Sequence, residues 1–221
     1  MSDTATMDDH AGQTPIPPLT GLFGFARGAI LAYLGATGLF VAACLAGFAA
    51  PPDLLTDDYT YSETQGEQML LLAYGLSSLL YVAVFVVSVV AVSRFTFRAM
   101  KTLHRLGEPR AEMTPGWAVG WYFVPFANLF KPLEGMRQIV EGSYVQAGKP
   151  LSDAPSLGLW WGTWIVGNLL SNVAWRIDDQ TVMLFADIAS ALVHGVSAVL
   201  LLTILRKVRE AQDAALSTHV F

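Results

Sequence analysis

Two ionisable residues, Asp187 and His194, interrupt an otherwise apolar stretch over 180–205. A titratable group at membrane depth is costly, so such residues are functional candidates by default. With Ser190 and Ser197 they fall at spacings of 3, 4 and 3, which on a helix makes one polar stripe. The opposite face reads Leu184, Ile188, Leu192 and Val199, which suits lipid. The preceding apolar stretch contributes Asn168, Ser171 and Asn172, and Arg176 stands in the turn between the two. A short turn makes these helices antiparallel neighbours. Counting outward from Asp179 sets Asp187 level with about Ser171, one turn from both asparagines, with Arg176 roughly 7 Å higher. The stripe can act as hydrogen-bond glue between helices, worth about 0.6 kcal/mol a contact. It can also be a ligand or proton site, although one Asp and one His do not make a pump.

Other chemistries find less support. Haem between two helices needs a second axial histidine in a span. A hydrolase built on His194 and Ser77 or Ser78 lacks the strand-turn-helix elbow around its serine. His10, His104, His194 and His219 have no metal-ligand spacing, and the sole cysteine, Cys44, rules out an internal disulfide. No catalytic residue, metal or cofactor is expected.

A second concentration of unusual residues lies between 94 and 147. Arg94, Arg98, Lys101 and Arg105 share one helical face at i, i+4, i+7 and i+11. Such a basic stripe anchors orientation and can contact anionic lipid headgroups or a partner. Met113 to Phe130 is uncharged and rich in aromatic residues, among them Trp117 and Trp121, but Pro125 interrupts it. Its strongly apolar part is short for a span, so a re-entrant or interfacial segment is expected, with a true fifth span as the alternative. Pro115, Trp117, Trp121, Pro125, Asn128, Lys131 and Pro132 form its motif. Leu133, Met136, Val140 and Tyr144 follow at helical spacing, which predicts an amphipathic helix lying on the bilayer.

The elements that must position these residues are set by composition. Of 221 residues 53% are hydrophobic and 14% charged, against about 25% charged in a soluble domain. No charge falls between Arg27 and Asp53, Glu67 and Arg94, or Asp153 and Arg176, and only Asp187 falls between Asp179 and Arg206. Each gap accommodates the roughly 20 residues of a transmembrane helix. The expected fold is all-α, with four spans at about 27–50, 69–93, 157–177 and 180–205, a cytoplasmic-side interfacial segment at about 113–147 and a surface amphipathic helix. Gly28, Ala32 and Ala36 suggest a close-packing face on the first span. The remaining divisions are a disordered polar tail over 1–20, a membrane domain over 21–210 and a cytoplasmic tail over 211–221. A soluble enzyme, a disordered regulator and a nucleic-acid binder are excluded, the last also by a net charge of -5.

With both termini in the cytoplasm, twelve of the thirteen Lys and Arg residues lie inside and only Arg176 outside. The acidic 51–68 loop is then external and the 94–156 stretch internal. No signal peptide is expected. Val41-Ala42-Ala43-Cys44 resembles a lipoprotein cleavage box, but the chain stays apolar after it, so Cys44 reads as a buried residue in a span.

The run Thr114-Pro115-Gly116-Trp117-Ala118-Val119-Gly120-Trp121-Tyr122-Phe123-Val124-Pro125-Phe126-Ala127-Asn128-Leu129-Phe130-Lys131-Pro132 resembles the signature of a bacterial membrane family, domain of unknown function 4328. The similarity continues through Met136-Arg137-Gln138 and Leu159-Trp160-Trp161-Gly162-Thr163-Trp164, covering roughly 25–205. It implies a four-span protein of the inner (plasma) membrane and supplies no activity, substrate or catalytic residue. The expectation is a non-enzymatic assembly, scaffold or sensing component at the cytoplasmic face, in contact with the bilayer, anionic lipids and another membrane or cytoplasmic protein. The alternatives are a small transporter or channel subunit using the Asp187/His194 stripe and, more remotely, an intramembrane enzyme. Oligomeric state is not legible.

Overall fold

The computed structural model describes residues 16–48, 65–174, 176 and 178–218. The expected acidic loop lies almost wholly outside the described residues, as does most of the expected N-terminal tail. Among the described residues there is no strand. Within the described residues six α-helices follow one another: α1 Thr20–Gly47, α2 Gln65–Arg105, α3 Pro115–Gly120, α4 Lys131–Gln146, α5 Leu157–Ala174 and α6 Gln180–Thr218. Three of them, α1, α2 and α6, are long and apolar enough to cross a membrane, which points to a membrane protein.

Helix α1 packs along α2 and also against α6, and α5 packs along α6. The face of α1 that does this carries Ala29, Tyr33, Ala36, Phe40 and Cys44. Gly28 and Ala32 are exposed, so the expected small-residue face is turned by about a quarter of the helix. The larger Tyr33 and Phe40 supply more contact area there than glycine can. Leu72, Leu76, Leu79 and Val86 of α2, and Phe185, Leu192 and Val196 of α6, are all exposed. Apolar surface on that scale needs a non-aqueous neighbour.

The two long helices overrun their apolar windows. Uncharged sequence on α2 ends at Ser93, yet the helix continues to Arg105; α6 continues past Leu205 to Thr218. Twelve further residues add about 18 Å to α2. Between these extensions sits α4, and the main core is there: Phe95, Met100, Leu103, Met136, Ile139, Val140, Leu205 and Val208 are almost wholly enclosed. Two expectations are corrected as a result. The face of α4 carrying Met136, Val140 and Tyr144 packs against protein, not on a bilayer, because the overrunning helices offer it a preformed apolar cleft. Residues 211–218 are not a tail but the end of α6, with Ala211, Gln212 and Ala215 buried. The backbone N–H of Leu19 and the hydroxyl of Thr20 donate to the Asp213 carboxylate at 3.4 and 3.3 Å, so the start of α1 docks on that same segment.

Candidate functional site

The charged end is held together by hydrogen bonds between elements distant in sequence. Helix α2 ends at Arg105, and just beyond it Gly107 has a φ of 68°, a left-handed conformation that glycine adopts without penalty. The turn drives Glu108 back under the helix, where the residue is 4% exposed. Its carboxylate accepts from Gln146 Nε2 at 2.8 Å and from the backbone N–H and guanidinium of Arg110 at 3.1 and 3.2 Å. Burial alone would raise its pKa, but these donors and the Arg110 charge outweigh that and hold the carboxyl below its usual range. A Cβ on Gly142 would lie 2.9 Å from Glu108 Cγ, so α4 approaches this closely only as glycine. Gln138 Oε1 accepts the Met113 N–H at 2.9 Å. Gln212 of α6 donates to the Ala99 carbonyl at 3.1 Å and to Ser143 Oγ at 2.9 Å, joining α6, α2 and α4. The Tyr144 hydroxyl donates to the Asp153 carbonyl at 3.2 Å; burial, then the negative charges of Asp153 and Glu210, raise its pKa.

The aromatic motif is mounted on this frame. Thr114 caps α3, accepting the Trp117 N–H at 3.4 Å, and Pro115 occupies the first turn where its missing N–H costs nothing. Trp117 and Trp121 stack at 4.5 Å between ring centres. After Pro125 the chain makes a γ-turn: the Ala127 N–H donates to the Pro125 carbonyl at 2.7 Å, with Phe126 between them at φ 62°. That turn is strained for a non-glycine residue. It projects Phe126 outward at 84% exposure, next to the exposed Phe123, Leu129 and Phe130. The Asn128 N–H closes the next turn on the Val124 carbonyl at 2.9 Å. Trp161 Nε1 donates to the Leu129 carbonyl at 2.8 Å and ties the segment to α5. Lys131 pairs with Glu134 at 2.7 Å, and Pro132 is buried in the first turn of α4. Trp160 is buried too and belongs to the core.

The basic stripe divides. Arg94 and Arg98 border an open groove of about 730 Å³ lined also by Pro17, Pro18, Leu22, Phe97 and Val119; Lys101 and Arg105 lie beyond it. Among the described residues none of the four forms an ion pair.

The polar stripe of α6 serves two neighbours. Ser190 Oγ donates to the Gly167 carbonyl at 3.0 Å, and Ser197 Oγ to that of Trp160 at 3.2 Å. His194 Nδ1 lies 3.0 Å from the Ser190 carbonyl. The imidazole lies flat against Gly167, where a Cβ would come within 2.8 Å of three ring atoms. Asp187 instead accepts from the Tyr74 hydroxyl of α2 at 3.3 Å. Asn168 and Asn172 donate to carbonyls of their own helix, those of Trp164 and Asn168, at 2.7 and 2.8 Å. Arg176 is exposed. Asp187 and the asparagines are thus not brought together, because α6 lies between α5 and α1 and one broad face is split between them. The tyrosines escaped the sequence reading: Tyr33 and Tyr81 share a hydroxyl–hydroxyl bond of 2.7 Å and pack with Phe40 near Tyr74. The seven-residue interval between Tyr74 and Tyr81 on α2 was the available signal. Glu108, Gln146 and Gln212 also escaped, being single polar residues without a motif. Among the described residues no three His, Cys, Asp or Glu side chains converge to hold a metal.

The chain belongs to the family described as Domain of unknown function (DUF4328), whose model matches residues 64–213. The match runs from the start of α2 to Asp213 within α6 and leaves α1 outside; it starts later and ends later than the resemblance over 25–205 implied. No curated protein and no solved structure matches the chain.

Proposed function

We propose that this chain is a four-span, non-enzymatic protein of a bacterial plasma membrane whose stitched end faces the cytoplasm and serves as an assembly or sensing surface. In this reading α5 is the fourth span. Its 18 residues extend about 27 Å, close to the thickness of a hydrocarbon core. Two asparagines and three tryptophans lower its hydropathy, but Leu159, Val166, Leu169 and Val173 line an exposed apolar face. The cytoplasmic orientation is supported by the clustering of bases at the stitched end.

The observation that carries the reading is the aromatic segment. A strained backbone persists only where surrounding structure over-determines it, and such strain clusters at functional positions. Here a frame of hydrogen bonds holds a segment in which Trp117, Phe123, Phe126 and Phe130 are all exposed. That arrangement presents apolar surface at the edge of the membrane, as an interaction surface does. The bond between Asp187 and Tyr74, and the seating of His194 on Gly167, support structural roles for the intramembrane stripe.

Two experiments test this. With Cys44 replaced and single cysteines placed at Asp58 or Lys149, an impermeant thiol reagent on intact cells is expected to label position 58 and spare 149. The reverse pattern overturns the orientation. Purification from the native membrane in mild detergent is expected to retain a partner that Trp117→Ala removes while the chain stays folded. A chain that purifies alone, with Trp117→Ala and Asn128→Ala silent in cells, overturns the assembly role.

A further inference from the structure

We propose that the groove between the start of α1, α2 and α3 binds one anionic phospholipid. Its phosphate would meet Arg94 and Arg98, and part of an acyl chain would lie against Leu22, Phe97 and Val119. The inference deepens the membrane reading above and rests on it.

Charge, level and shape converge on this occupant. Arg94 is the first charge after the uncharged run that ends at Ser93, which sets it where the hydrocarbon of a bilayer gives way to phosphate. Arg98 follows one turn later on the same face. Neither guanidinium has an acidic partner among the described residues. Guanidinium matches phosphate geometry in paired hydrogen bonds. The rest of the wall is mostly carbon: Pro17, Pro18, Leu22, Phe97 and Val119, with Phe97 left 42% exposed. A soluble phosphate would use the cations and leave those carbons in water, whereas a phospholipid covers both. At about 730 Å³ the groove falls within the range of small-molecule sites, roughly 300–1,000 Å³. Lys101 and Arg105 continue the same stripe but lie outside the groove, which supplies an internal control.

The test is native mass spectrometry of the purified full-length chain in mild detergent, titrated with phosphatidylglycerol and with phosphatidylcholine of the same chains. The wild type is expected to retain one phosphatidylglycerol in clear preference to phosphatidylcholine. Arg94→Gln combined with Arg98→Gln is expected to weaken that retention about thirtyfold, the effect of two cations near an anionic surface. Arg105→Gln is expected to leave it unchanged. Gly116→Trp fills the groove without altering its charge and is expected to displace the lipid, since a side chain begun there meets nothing within 4 Å. Monodisperse elution of each variant shows that it folds. Equal retention of the two lipids overturns the proposal, as does equal loss with Arg105→Gln or full retention by Gly116→Trp. Displacement by millimolar inorganic phosphate would assign the site to a soluble anion and overturn it. Retention only after deletion of residues 1–15 would assign the groove to the chain's own acidic N-terminus and also overturn it. The isolated chain is used throughout, so the absence of a protein partner affects the assembly role and not this result.

Discussion

Removing the Glu108 carboxylate should loosen the whole charged end. Glu108→Ala strips the acceptor from three donors: the Gln146 amide, the Arg110 N–H and the Arg110 guanidinium. Arg110 is on the surface and can turn to water, but Gln146 and the main-chain donor face a site where the carboxylate is 1% exposed. Hydrogen bonds to a charged group are worth about 1.5–3 kcal/mol, and an orphaned buried donor costs about 1–3 kcal/mol. The expected loss is about 2–4 kcal/mol, or roughly 4–16 °C in melting temperature for a chain of this size. Glu108→Gln keeps the shape; its oxygen still accepts from Arg110, and the Gln146 amide can flip to present its own oxygen. Its cost should be about 1 kcal/mol. The pH dependence has a definite sign. The folded carboxyl titrates below its unfolded value, so its stabilisation is complete above about pH 4.5 and is lost as pH falls through the lower folded value. Thermal denaturation in detergent, followed by near-ultraviolet circular dichroism between pH 7 and pH 3.5, reads both effects. Wild type should lose more stability than Glu108→Gln as the pH drops below 4.5. A Glu108→Ala protein within 0.5 kcal/mol of wild type, or one more stable than Glu108→Gln, would refute the reasoning.

Three further perturbations follow from the geometry. Gly167→Ala should cost about 1–3 kcal/mol by driving a methyl into the His194 ring, and adding His194→Ala should recover much of that loss; strictly additive losses would show that the ring and the glycine are not coupled. Phe126→Gly should leave detergent stability unchanged or raise it by up to about 2 kcal/mol, because glycine relieves the positive φ; a melting loss above about 1 kcal/mol would place Phe126 among the packed residues. Deleting 211–221 should prevent accumulation of folded protein, since Gln212 joins three helices and Asp213 holds the start of α1; a truncated chain that melts like wild type would contradict that packing.

Much of the frame was legible along the chain. Long charge-free gaps and the motif from Thr114 to Pro132 led to apolar helices and the right family. Helix ends past the last apolar residue were less legible. Periodicity does continue from Ile204 through Val208 and Ala211 to Ala215, but alanine at a core position looks like alanine in a solvated tail. The spacing of α4 revealed an amphipathic helix and could not say what covered its apolar face: lipid and the side chains of α2 and α6 are equally oily neighbours.

Which residues avoid charge, where the bases gather, which glycines and prolines punctuate the segment after α2: these belong to the sequence alone, because solvent preference and backbone freedom are properties of single residues and short windows. Which partner each polar group meets was decided only in three dimensions. Asp187 reaches Tyr74 and not Asn168, Glu108 reaches Gln146, and Arg94 parts company with Arg105 at the mouth of a groove. Such pairings depend on the rotation of one helix against two others at once, and no periodicity along a single chain records that angle.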